Sequence, residues 1–165
     1  MEGNSLIYAS EGCHLDIEVN GISSVGMGAL TGETHVRCGA KFRFEGGGSK
    51  VVGIGVLNKG TGDIEVTDTT LAFKMLTNLG TCIGAIGGDV EVCAIGCKVE
   101  VNAEGGEITG IGDAKGSGDV TIDRTELKAY ILAAKPHEVG SKSGQFSMRN
   151  STIMSDVNDK KNTLN

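Results

Sequence analysis

The stretch GIGDAKGSGDVTI, residues 110–122, contains the three features that decide the fold. It begins with a Gly-hydrophobic-Gly element, continues through a glycine-rich turn that ends in Gly-Asp, and closes on alternating apolar and polar residues. Alternation with a period of two residues is typical of a β-strand. The same order of features recurs along the chain, which indicates an internal repeat.

The repeat has a period of about 28 residues. The central residues of the Gly-hydrophobic-Gly elements are 27, 29 and 28 positions apart: Met27, Ile54, Ile83 and Ile111. A unit of this length is too short to bury its own apolar face, whereas stacked units bury their faces together. The sequence therefore predicts an all-β fold, a single parallel β-helix (β-solenoid) over residues 1–165. We expect about six coils with three strands per coil, starting near residues 6, 36, 64, 90, 120 and 146.

The predicted core consists of ladders in which equivalent residues of successive coils stack. The first strand supplies one ladder: Val36, Ile64, Val90, Val120 and Phe146. The second strand supplies another: Leu15, Phe42, Leu71, Val99 and Leu127. Beside it runs a parallel row two positions further on: Ile17, Phe44, Phe73, Val101 and Ala129. The central residues of the Gly-hydrophobic-Gly elements supply a third ladder. A competing interpretation concerns Thr125–Lys135, which contains good helix formers behind an N-cap candidate. Its register with the other second strands favours a strand, and a helical unit stays open.

Composition excludes several classes of protein. The chain has 27 Gly, 1 Pro and no Trp, which argues against a helical bundle. A net charge of −6 without a basic block argues against nucleic acid as a partner. No apolar run reaches the roughly 18–20 residues of a membrane span. The N-terminus does not resemble a signal peptide. We expect a segment of a longer precursor located at the cell surface or outside the cell, or a cytoplasmic protein if the chain is complete.

Residues 110–122 resemble a glycine-rich repeat of the A-G-I-G-G-G type found in large bacterial surface proteins. The resemblance extends over about residues 5–155, and it departs from the pattern at Asp119 and at 136–140. It implies a right-handed parallel β-helix in an adhesin-like or carbohydrate-binding protein.

Three aspartates precede the first strand in successive units: Asp63, Asp89 and Asp119. Carboxylates stacked about 5 Å apart repel one another, and a hard cation such as calcium would relieve that repulsion. The favoured alternative is that each aspartate hydrogen-bonds its own turn. No other cofactor is predicted.

Outward positions of the second strand form a candidate carbohydrate-binding surface. Arg43 and Lys128 fall in one row, and Lys74 and Tyr130 fall in the next. Tyr130 would be the platform on which a sugar ring stacks. The alternative, which the mixed charges favour, is a solvated face with weak ion pairs.

The five cysteines are Cys13, Cys38, Cys82, Cys93 and Cys97. An odd number argues against a complete disulfide framework, and the C-x3-C spacing of Cys93 and Cys97 is not that of common zinc sites. Free thiols are favoured, while one disulfide or a metal site stays open.

The sequence favours a non-catalytic structural or adhesive module over a carbohydrate-binding module, and both over a polysaccharide lyase or hydrolase. Catalysis has the least support because no cluster of acid, base and nucleophile stands out, and the short turns leave no long loops to build a cleft. Expected partners are glycans or other surface proteins. The solenoid ends offer strand edges for homo-oligomerisation, with a polar tail, 157–165, at the C-terminal end.

Overall fold

The computed structural model describes residues 5–159, and within that range all the regular secondary structure is β-strand. Short and long strands alternate along the chain. The short strands are β1 (Ser5–Ala9), β3 (Glu33–Cys38), β5 (Thr61–Thr67), β7 (Asp89–Ile95), β9 (Val120–Asp123) and β11 (Phe146–Arg149). The long strands are β2 (His14–Ala29), β4 (Lys41–Val56), β6 (Thr70–Ala85), β8 (Lys98–Asp113), β10 (Glu126–Val139) and β12 (Thr152–Asp159). The predicted all-β fold is confirmed for this range.

The strands form two parallel sheets wound as a β-solenoid. The short strands make one sheet in the order β1-β3-β5-β7-β9-β11, and the long strands make the other in the order β12-β10-β8-β6-β4-β2. Each strand therefore pairs with its equivalent one repeat away, and the five pairings in each sheet correspond to about five turns. Parallel strands need a long connection, and here the remainder of each turn provides it.

The long strands replace two of the three strands that we predicted for each coil. In β4, residues 41–46 alternate between exposed and buried, residues 48–50 are exposed at a corner, and residues 51–56 are all buried. Pairing with β6 continues through the corner, where Gly46, Gly47 and Gly48 pair with Met75, Leu76 and Thr77. Glycine in a sequence suggests a break between strands, but here it lets one strand bend while its backbone ladder continues.

The second glycine of each Gly-hydrophobic-Gly element allows the turns to approach closely. Gly55 has a φ of +138°, a conformation that other residues rarely adopt. A Cβ at Gly55 would collide with the carbonyl oxygen of Gly84 in the next turn. The same relation joins Gly28 to Gly55, Gly84 to Gly112 and Gly112 to Gly140. The repeated motif is therefore a continuous stack of backbone contacts along the solenoid.

The core ladder of the short strands differs from the prediction at two levels. Phe146 pairs with Val120 in the predicted register, but it is 47% exposed because β11 lies at the edge of its sheet, so the prediction that it belongs to the core is wrong. The other difference is one of register. Ile64 pairs with Val92, and Val90 pairs with Gly62. The prediction that Val90 follows Ile64 in this ladder is wrong. Val92 takes that place, because it also pairs with Val120, the next member of the ladder. Both valines are buried, and a slip of two residues keeps every side chain on its own face. Alternation alone therefore does not distinguish the two registers.

The ladders predicted for the long strands are confirmed. Register pairing joins Leu15, Phe42, Leu71, Val99 and Leu127, and it also joins Met27, Ile54, Ile83 and Ile111. Val139 extends the second ladder at the level where the Gly-Ile-Gly motif is missing. The rings of Phe42 and Phe73 pack in the core with their centroids 5.6 Å apart.

The segment Thr125–Lys135, for which a helix stayed open, lies mostly in β10. This strand pairs with β8 on one side and with β12 on the other. Its inward side chains Leu127, Ala129, Ile131 and Ala133 are all buried. Burial between two neighbouring strands therefore outweighs the local helix propensity of this segment.

Only part of the predicted polar tail falls within the described residues. Residues 157–159 complete the backbone of β12, and residues 160–165 lie outside the described range.

Within residues 5–159, no helix is long and apolar enough to cross a membrane.

Candidate functional site

The four residues predicted for carbohydrate binding lie on one surface, which we call the long-strand face: the outward side chains of residues 14–20 in β2 and of their equivalents in the other long strands. Register pairing places Arg43 and Lys128 in one row, with Asp16, Ala72 and Glu100. The next row contains Lys74 and Tyr130, with Glu18, Glu45 and Asn102. Lys74 and Tyr130 are thus two strands apart, about 10 Å, with Asn102 between them.

Each predicted cation on the long-strand face already has an acidic partner. Lys74 Nζ lies 2.7 Å from Glu45 Oε1, and Lys128 Nζ lies 3.2 Å from Glu126 Oε1. Arg43 lies 3.8 Å from Asp16. The hydrogen bond from Lys74 lowers the pKa of Glu45, and the hydrogen bond to Glu126 raises the pKa of Lys128. These exposed pairs contribute little to stability, but they leave this face without unpaired positive charge at the predicted positions.

An apolar patch that was not predicted from the sequence lies on the same face. Leu76, Tyr130 and Leu132 are 65%, 50% and 36% exposed. Leu76 and Leu132 share one row, in which Glu104 lies between them, and Tyr130 lies in the adjacent row. The signal was present in the sequence, because these side chains occupy outward positions of strands whose inward positions are also apolar.

The structure does not bring Asp63, Asp89 and Asp119 into one site. Asp89 pairs with Thr61, so it lies two positions away from the level of Asp63. Asp119 Oδ1 accepts a hydrogen bond of 2.7 Å from the backbone N–H of Gln145, which lies 26 residues further along the chain and not in the turn of Asp119 itself. Among residues 5–159, no group of three or more His, Cys, Asp or Glu side chains is placed to hold a metal ion. Calcium binding at these positions stays a prediction.

Asp63 instead belongs to a charged cluster on the outer side of the short-strand sheet. Its carboxylate accepts hydrogen bonds from His35 Nδ1 and from the Arg37 guanidinium. Arg37 Nε also lies 2.8 Å from Glu65, and His35 Nε2 lies 3.4 Å from Glu33. His35 and Asp63 are 28 residues apart, one full period, so the repeat contained the signal for this contact.

The charged cluster shifts the titration of its members. The hydrogen bond to Asp63 raises the pKa of His35, against a smaller opposing effect of desolvation. For Asp63, desolvation acts to raise the pKa, but the hydrogen bonds from Arg37 and His35 together lower it. The folded state therefore favours the protonated imidazole and the ionised carboxylate.

All five cysteines are free thiols. Cys38, Cys82 and Cys97 are buried, and burial raises the pKa of each. Cys82 Sγ contacts Met75 Sδ at 3.3 Å in the core. These three thiols behave as small apolar side chains.

Comparison of the chain with protein-family models, with curated proteins and with solved structures finds no match.

Proposed function

We propose that the chain is a non-catalytic structural and adhesive module, a right-handed β-solenoid that forms part of a bacterial cell-surface protein. The observation that carries the proposal is the unbroken parallel pairing of the long strands from β2 to β12. A continuous backbone ladder with a core along its whole length suits a stiff segment that holds a binding face in a fixed position. The right hand follows from the strong preference of parallel strand connections for that sense.

The long-strand face is the adhesive surface in this proposal. Its patch of Leu76, Tyr130 and Leu132 is exposed, and polar side chains such as Asn102 lie beside it. An apolar patch with a polar surround fits the general pattern of interaction sites. The short turns between strands also argue for a flat contact rather than a deep catalytic cleft.

A carbohydrate ligand is the second candidate, and Tyr130 favours it. An aromatic ring that is half exposed on a flat surface offers an apolar body for a sugar ring and a hydroxyl for hydrogen bonding. Because Lys74, Lys128 and Arg43 are paired with carboxylates, this face suits a neutral saccharide better than an anionic one.

A glycan array probed with the purified chain, with and without calcium, tests these proposals. We expect binding to neutral glycans that Tyr130→Ala weakens at least tenfold. Tyr8→Ala is the matched control, because Tyr8 is 75% exposed on the short-strand sheet. Equal losses in the two variants would contradict the assignment of the long-strand face, and a blank array would remove the carbohydrate candidate and leave a protein partner. Loss of binding on calcium removal would support the predicted role of Asp63, Asp89 and Asp119.

A polysaccharide-active enzyme is the remaining alternative. Incubation with acidic and neutral polysaccharides should release no reducing ends. Release that exceeds a heat-denatured control would overturn the non-catalytic assignment.

A further inference from the structure

A cleft of about 540 Å³ lies away from the long-strand face, beside the second halves of β8 and β10. Lys135 and His137 of β10 pair in register with Glu107 and Thr109 of β8, and these four residues line one side. The segments that follow the two strands bring Lys115, Ser141 and Lys142 to the other side. The cleft is thus built from two successive turns of the solenoid.

The positive charges of this cleft are not paired. Lys115, Lys135 and Lys142 are exposed, and none of them forms an ion pair with another described residue. The chain as a whole carries a net charge of −6, so three lysines without acidic partners around one cleft are not a consequence of composition. Glu107 opposes them, because its carboxylate also lines the cleft.

The second carboxylate of the cleft, Asp113, is already committed to the backbone. Asp113 is buried, and its oxygens accept hydrogen bonds from the N–H groups of Gly87, Gly88 and Lys115 at 3.0, 3.0 and 3.1 Å. Its own N–H donates to Ser141 Oγ at 3.2 Å. These bonds fix the two segments that carry Lys115 and Lys142, so the cleft has a rigid frame.

An unsatisfied hydroxyl lies at the same cleft. Thr109 is 1% exposed, and its Oγ1 has no hydrogen-bond partner among the described residues. The equivalent Thr81 in the preceding turn donates from its Oγ1 to Ala85 O at 3.1 Å. A buried hydroxyl without a partner costs free energy, so this position favours a ligand that supplies an acceptor.

We propose that this cleft binds an oxyanion, the sulfate or phosphate group of an anionic ligand. Lys115, Lys135 and Lys142 supply the positive charge, and Thr109 Oγ1 supplies a hydrogen-bond donor. The site is separate from the long-strand face and does not depend on the function proposed for that face.

Isothermal titration calorimetry of the purified chain with three probes tests the proposal: inorganic sulfate, inorganic phosphate and a sulfated disaccharide, each at low ionic strength. We expect the affinity for the probes to fall as the salt concentration rises. We also expect Lys135→Gln and Lys142→Gln each to lower the affinity about tenfold, as for loss of one charge-assisted hydrogen bond. Lys41→Gln is the matched control, because Lys41 is an exposed lysine at the start of β4, outside the cleft. Binding of the disaccharide alone assigns the ligand to sulfated saccharides, and binding of the inorganic ions as well assigns it to oxyanions in general.

Two results would overturn the proposal. One is the absence of heat with all three probes. The other is an equal loss for Lys41→Gln and the cleft variants, which would indicate that any exposed lysine attracts the probes and that the cleft has no special role. Thr109→Val provides an independent check, since it removes the hydroxyl without changing charge and should also weaken binding. Tyr130→Ala should leave the binding of these probes unchanged, which separates this test from that of the long-strand face.

Discussion

The first long strand and the third carry the same alternation of apolar and polar residues, yet they differ in burial. Leu15, Ile17 and Val19 in β2 are only partly buried, whereas Leu71 and Phe73 in β6 are 0% and 2% exposed. β2 lies at the edge of its sheet, and β6 has a neighbour on each side. Burial in this fold therefore depends on the position of a turn in the stack as much as on its sequence, as expected of a repeat protein.

The largest expected effect comes from removing a core ring in a middle turn. Phe73→Ala should lower the free energy of unfolding by about 4 kcal/mol, because it leaves a cavity between two packed turns. Ile17→Ala at the edge should cost about 1.5 kcal/mol, since its side chain is only partly buried. Urea unfolding followed by far-ultraviolet circular dichroism measures both. Equal costs would show that the end turn is covered in solution by another copy or segment.

A smaller difference in the free energy of unfolding is expected between alanine substitutions at two glycines of the stacking motif. Gly55→Ala should destabilise the fold by about 3 kcal/mol, because the new methyl group meets the backbone of the next turn and the positive φ is retained. Gly140→Ala should cost about 1 kcal/mol, since its φ is also positive but no atom lies within 4 Å of the added Cβ. Thermal unfolding of the two variants provides the comparison. Similar losses of stability would mean that the positive φ, and not the close approach of successive turns, explains the glycine at these positions.

The smallest expected effect concerns pH and the charged cluster of the short-strand sheet. Because the pKa of His35 is raised in the folded state, its protonated form adds stability fully below the unfolded value of about 6.5, and this contribution is lost as pH rises through the folded pKa. Urea midpoints measured between about pH 5 and pH 8 should therefore fall with pH more steeply for wild type than for His35→Gln. His14→Gln, which removes an exposed imidazole at the start of β2, is the control. Identical slopes for wild type and His35→Gln would contradict the effect.

Much of the fold follows from the sequence because the repeat fixes which residues stack. The ladders through Ile54 and Phe42 could be predicted, since their spacing stays near one period and their side chains point inward. The register of β7 against β5, which decides whether Val90 or Val92 pairs with Ile64, could not be predicted, because either register buries a valine. The continuity of each long strand was also missed, since the glycines at 46–48 that bend the chain also occur in ordinary turns.

The candidate sites were harder to predict than the core. The sequence placed Arg43, Lys74, Lys128 and Tyr130 on one face and favoured weak ion pairs there, but it did not identify which carboxylate pairs with each cation. Ion pairs depend on side-chain conformation, which the repeat leaves open. The cleft of Lys135 and Lys142 was missed for a different reason. Its residues lie on both sides of the Gly-Ile-Gly positions, at the level where the repeat is least regular, so alignment of the units does not bring them together.

The glycine stack from Gly28 to Gly140 has a consequence for how the gene can change. Because each turn presents the same backbone contact to the next, deletion or duplication of one complete unit returns every later glycine to a matching partner. Loss of a single residue within a turn would instead shift the register of that turn, so that a side chain meets a carbonyl of the adjacent turn. Unequal recombination between repeats is therefore a tolerated route to longer or shorter rods, whereas frame-preserving deletions of one or two codons within a turn are not.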